Sequence, residues 1–94
     1  MYLKIAADNT LSLEEADDFK RFHIEGDVTS NTFKEISTDA GEEHFWIDAD
    51  AVAKLSGKPD ADPWHSQFWS MLEKAAPYGY ADINARQIKA HVVK

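Results

Sequence analysis

The sequence predicts a single α+β domain spanning residues 1–94, and three stretches carry that prediction. His44-Phe45-Trp46-Ile47 is the most strand-like run, because aromatic and β-branched residues suit a pleated, half-buried surface. Asp62-Pro63 opens a segment in which Trp64, Phe68, Met71, Leu72 and Ala75 share one helical face. Ile88-Lys89-Ala90-His91-Val92-Val93 reads as a closing strand able to pair with the run at 44–47. The expected architecture has two to three short strands, one at about 44–47 and one at about 88–93, with helices at about 13–24, 50–56 and 63–76 packed on one face. A ferredoxin-like β-α-β-β-α-β order is the variant if residues 32–37 form a strand.

Taken in order, Tyr2-Leu3-Lys4-Ile5-Ala6 is rich in strand formers, and Asp8-Asn9-Thr10 turns the chain after it. Ser12 and Glu15 have the spacing of a capping box, so a helix is expected from 13 to 24. Glu14, Glu15, Asp17 and Asp18 would open it, with Lys20 and Arg21 near its end, the order that complements the helix dipole. Ala16, Phe19, Phe22 and His23 would share its inner face, and Gly26 would stop it. Residues 32–37 fit an edge strand by alternation, or a short helix through Phe33 and Ile36 with Ser30 as cap; the helix is preferred. Asp48 or Asp50 caps the next segment, where Ala51, Val52 and Leu55 form a short apolar stripe that Gly57 ends. Asp62 at the cap and Pro63 at the first helical position start the longest helix, and Pro77 ends it before Tyr78-Gly79-Tyr80.

Composition narrows the function classes. The chain has no cysteine, which removes disulfides, thiolate zinc sites and cysteine nucleophiles together. No stretch approaches the ~18 consecutive apolar residues of a membrane span, and no basic start precedes an apolar run as in a signal peptide. The expectation is a soluble cytoplasmic protein with no membrane partner. The formal net charge of −7 is unevenly distributed: residues 1–62 hold fifteen of seventeen carboxylates and six of ten bases, a net of −9, leaving +2 for residues 63–94. Nucleic-acid binding requires clustered Lys and Arg to displace counterions, and the sequence contains no such run.

No contiguous catalytic motif is present. The serines sit in no Gly-x-Ser-x-Gly elbow, and the four glycines are isolated, which excludes a phosphate-cradling loop or dinucleotide fingerprint. Asp48/Asp50 and Asp60/Asp62 are Asp-x-Asp pairs that precede helices, and capping explains them without a cation. His23, with Glu25 and Asp27, would present a carboxylate–imidazole set only if extended; the helix reading makes it a helix-end histidine instead. His44, His65 and His91 would need to converge to hold a metal, and separate histidines with backbone partners are expected. No cofactor, no metal and no catalytic residue is therefore assigned.

The aromatic residues of the second half carry the functional expectation. Trp64 and Phe68 belong to the core stripe, whereas Trp69 flanks it and Tyr78 and Tyr80 follow a helix-breaking proline, as interface anchors do. The expected function is a non-catalytic protein-interaction module, or a self-associating homodimer, with Trp69, Tyr78 and Tyr80 as anchors and the acidic part facing a basic partner. The alternative is a small enzyme or ligand-binding protein with a cleft lined by His44, His65 and Trp69. A third reading, an acidic inhibitor that mimics nucleic acid, rests on net charge alone.

Overall fold

The computed structural model describes residues 1–93 and has the expected α+β class. The strands are β1 (Tyr2–Ile5), β2 (Leu11–Glu14), β3 (His23–Gly26), β4 (Ser37–Gly41), β5 (His44–Asp48), β6 (Ala81–Asp82) and β7 (Gln87–Val93). The helices are α1 (Asn31–Lys34), α2 (Ala49–Leu55) and α3 (Pro63–Ala75), and a 3-10 turn, Ala76–Tyr78, follows α3. The sheet order is β2-β1-β3-β7-β5-β4, with β6 also against β7. β1, β3 and β7 run parallel to one another, and the remaining pairings are antiparallel.

Strands 5 and 7 pair as the sequence suggests, from His44 opposite His91 to Asp48 opposite Gln87. Helices 2 and 3 also fall where expected. Asp48 caps α2 by accepting from the Asp50 amide at 3.1 Å, and Asp62 caps α3 by accepting from the Trp64 amide at 2.8 Å. Residues 32–37 are divided: the single helical turn α1 buries Phe33, and β4 begins at Ser37.

The helix expected at 13–24 is not formed, and the strands among the described residues number seven rather than two or three. Asp8 and Asn9 make a tight hairpin turn in which Asn9 takes a left-handed φ of 70° and Asp8 Oδ1 accepts from the Thr10 amide. Leu11 and Leu13 then fall on one face of β2, paired with Ile5 and Leu3. The period of two wins over the capping-box spacing, and Glu15, at φ 52°, breaks any helix there. The ferredoxin-like alternative fails for the same reason, because a strand stands where its first helix would be.

Residues 15–22 instead form an irregular crossover held by long-range contacts. Trp64 Nε1 donates to the Ala16 carbonyl at 2.7 Å, and the Phe19 and Trp64 rings lie 6.0 Å apart. The Met1 nitrogen donates to the carbonyls of Asp18 and Arg21, both at 3.2 Å. Gly26 is not a helix stop but the last residue of β3, at φ 116°, opposite Ile5. A Cβ there would lie 2.2 Å from the Ile5 carbonyl oxygen, so only glycine allows this approach of β1 and β3.

One apolar cluster joins the sheet to the helices. Leu3, Ile5, Ile24, Ile47, Ile88, Ala90 and Val92 meet Phe33 of α1, Ala49 and Val52 of α2, and Trp64, Phe68 and Leu72 of α3. Strand alternation then turns Tyr2, His23, Glu25, Trp46, His44, Lys89 and His91 to the opposite sheet face.

Candidate functional site

The most developed concavity follows from how β7 is flanked. On the edge away from β5, β6 pairs with Gln87 and Ile88, and β3 pairs with Val92 and Val93. Among the described residues, no strand on that edge stands opposite Ala90 and His91. The cleft opens at this gap, with a volume of about 580 Å³. Ile88, Lys89 and His91 line it from β7, Met71 and Ala75 from α3, Tyr78 and Tyr80 from the turn after α3, and Lys20, Arg21 and Phe22 from the approach to β3.

The rim is built by local chain chemistry. Pro77 removes a helical donor and α3 tightens into the 3-10 turn, which Gly79 closes at φ 84°. Tyr80 is then fixed on both sides, its amide donating to the Ala75 carbonyl at 3.2 Å and its carbonyl accepting from the Lys89 amide at 2.9 Å. Tyr78 is left 81% exposed and Tyr80 50% exposed. An adjoining shallow groove, of about 310 Å³, shares Met71 and is lined by Phe19, Ser66, Gln67, Ser70 and Lys74. Lys89 contributes to the main cleft from the sheet, although its ammonium lies 5.8 Å from the Trp46 ring on the opposite face.

The five residues singled out in the sequence divide among three places. Tyr78 and Tyr80 share the main cleft. His65 and Trp69 line a separate depression of about 430 Å³ with Asp50, Lys54 and Asp60. His44 stands on the helix-free face of the sheet, its ring 5.8 Å from that of His91. The backbone occupies two of these histidines: the His44 ring contacts the Glu42 carbonyl at 2.9 Å, and His65 Nε2 the Lys58 carbonyl at 3.0 Å. His23 lies in β3 rather than at a helix end; its ring stacks on Tyr2 at 4.8 Å, and its Nε2 is 2.7 Å from Glu25 Oε2. Asp27 turns away to accept from the Thr29 amide and hydroxyl. Among the described residues, no group of three or more His, Asp or Glu side chains is placed to hold a metal ion.

Trp69 is held in place by an ionic clamp. Arg86 stacks over its ring at 4.3 Å and bonds both carboxylate oxygens of Asp50, at 2.7 and 2.8 Å, joining α3, the β6–β7 turn and the start of α2. The Arg86 bond holds the Asp50 carboxyl below its ordinary value, against a smaller opposing effect of burial. Hydrogen bonds from Thr10 and Thr29 lower Asp8 and Asp27 in the same way, and the Lys20 amide lowers Asp18. A depressed native pKa contributes stability that is present above the ordinary carboxylate value, about 3.9, and is lost as pH falls through the native one. The melting temperature should therefore hold steady at neutral pH and drop below about pH 4. In Arg86→Gln that drop should be shallower, because Asp50 then titrates nearer its unfolded value; calorimetry across pH checks this.

Sequence reasoning missed Lys20, Arg21, Phe22 and Met71 as lining residues. A signal was present, since Lys20-Arg21-Phe22 places two cations beside an aromatic ring directly after an acidic run. The helix assignment explained those cations by the dipole and left nothing for a cleft. No helix among the described residues is long and apolar enough to cross a membrane. No protein-family model matches the chain, and comparison with curated proteins and with solved structures gives no match.

Proposed function

We propose that the chain is a non-catalytic protein-interaction module of the cytoplasm, docking its partner at the cleft below Tyr78 and Tyr80. The observation that carries this reading is two adjacent exposed tyrosines, each half or more accessible, over an apolar floor of Met71, Ala75 and Ile88. Tyrosine supplies large contact area at little rotamer entropy and is enriched where interfaces concentrate their binding energy. The anchors stand beside Lys20 and Arg21 rather than beside carboxylates, so the reading pairs them with an acidic partner surface in place of a basic one. A second copy of the chain as partner belongs to the same reading. Trp69 lines a different depression and serves the fold through Phe68 and Arg86.

The test is capture from host extract with wild type, Tyr78→Ala/Tyr80→Ala and Trp69→Ala as parallel baits. A stoichiometric partner should be retained by Trp69→Ala and weakened at least about tenfold by the double tyrosine variant, the loss of about 1.4 kcal/mol or more expected for interface anchors. Undiminished capture by the double variant would place the partner elsewhere. A small-molecule ligand is the second reading, favoured by a cleft volume of about 580 Å³, within the roughly 300–1,000 Å³ usual for such sites.

A further inference from the structure

The charge around the cleft runs against the charge of the chain. Lys20 and Arg21 line the main cleft and Lys74 lines the shallow groove that shares Met71, while neither is lined by an aspartate or glutamate. The chain carries seventeen such residues, and two further depressions each contain a pair of them, Glu35 with Asp48 and Asp50 with Asp60. Among the described residues, Lys20, Arg21 and Lys74 enter no ion pair, the pairs being Met1–Asp18, His23–Glu25 and Arg86–Asp50. Asp18, next along the chain, is influenced by the Arg21 and Lys20 charges, but it lines neither groove. Lys20, Arg21 and Lys74, with Lys89 as a fourth cation whose ammonium lies toward Trp46, thus border an apolar floor with no carboxylate lining the same surface.

We infer that the occupant of this surface is an acidic peptide segment of a partner protein, bearing an apolar side chain close to its carboxylates. The apolar side chain covers the floor formed by Met71, Ala75 and Ile88, and the carboxylates meet Lys20, Arg21 and Lys74. This inference rests on the interaction-module reading and specifies the partner. Complementary charge at an interface fixes register and rejects partners of the wrong sign, so these cations select against basic segments. A long phosphate backbone fits less well, because a chain of net charge −7 repels it beyond the few cations present, whereas a short segment places its charges only where the cations stand.

The experiment is selection of a random-peptide display library on the full chain, followed by affinity measurement with the enriched peptides. Binding is then compared in Lys20→Glu/Arg21→Glu, in the milder Lys20→Gln/Arg21→Gln, and in Lys34→Glu on α1 as a surface control. The expected result is enrichment of peptides with Asp or Glu beside Leu, Phe or Trp. Their affinity should fall at least about tenfold in the charge-reversed variant, by less in the neutral one, and not at all in Lys34→Glu. The neutral pair keeps the test decisive if charge reversal disturbs the fold. Basic or uncharged peptides sensitive to Tyr78→Ala/Tyr80→Ala would overturn the acidic assignment while leaving the module reading intact. Acidic peptides indifferent to the Lys20 and Arg21 variants would overturn the site. No enrichment, or a cleft closed by a second copy in a concentration-dependent dimer, would overturn the peptide as occupant, and in the former case the module reading with it.

Discussion

Phe68→Ala should destabilise the domain by about 3–5 kcal/mol, the cost of deleting a buried aromatic ring and leaving a cavity. Phe68 is fully buried, its ring stacked on Trp64 at 4.9 Å and 11° and edge-on to Trp69 at 5.8 Å. It therefore supports both the tryptophan that anchors the 15–22 crossover and the one clamped by Arg86. A domain of this size has a total stability of only about 5–14 kcal/mol, so one substitution removes a large share of it. Thermal unfolding should shift down by roughly 15 °C or more. Tyr78→Ala, at the exposed rim, should stay within about 0.5 kcal/mol of wild type. Equal melting temperatures for Phe68→Ala and Tyr78→Ala would contradict the placement of the core.

Gly26→Ala should be the second severe change, costing about 3 kcal/mol or more, because it combines a left-handed backbone with a steric clash. Its added Cβ would meet the Ile5 carbonyl carbon, oxygen and Cβ at 3.0, 2.2 and 2.8 Å, and relief requires β1 and β3 to separate. Gly41→Ala is the matched control, since Gly41 is also at positive φ, 84°, but nothing lies within 4 Å of its Cβ position. Denaturant unfolding of the pair isolates the clash from the backbone strain. If Gly26→Ala were no more destabilising than Gly41→Ala, the parallel pairing of β1 and β3 would be wrong.

The contrast between these two sites also explains what was legible in the sequence. Phe68 announces itself, because its spacing from Trp64, Met71, Leu72 and Ala75 repeats the helical period within one element capped by Asp62-Pro63. β7 is readable because it alternates over seven residues, and β5 because His44-Phe45-Trp46-Ile47 is a run of strand-forming residues. Gly26 misleads: the same residue stops a helix or permits a close strand crossing, and only its contact with Ile5, far away in sequence, decides between them. The stretch from Ser12 to Phe22 carries true helical signals at the wrong place, because Leu11 and Leu13 gain more from pairing with Ile5 and Leu3 than a cap would give. The cleft was half visible. Tyr78 and Tyr80 follow from the proline and glycine around them, but Lys20 and Arg21, which line the cleft with them, come from a crossover whose sequence carries helical signals. His65 and Trp69 share one depression beside α3, and His44 is parted from them because strand alternation turns it to the other face of the sheet.

Amide hydrogen exchange of the protein alone and in complex with the partner recovered from host extract locates the docking surface directly. Docking at the cleft should add protection at residues 20–22, 75–80 and 89–91, which bound it, and leave β4 at Ser37–Gly41 unchanged. Protection confined to β4 and the His44 side of β5, with the cleft residues exchanging as in the free protein, would contradict it.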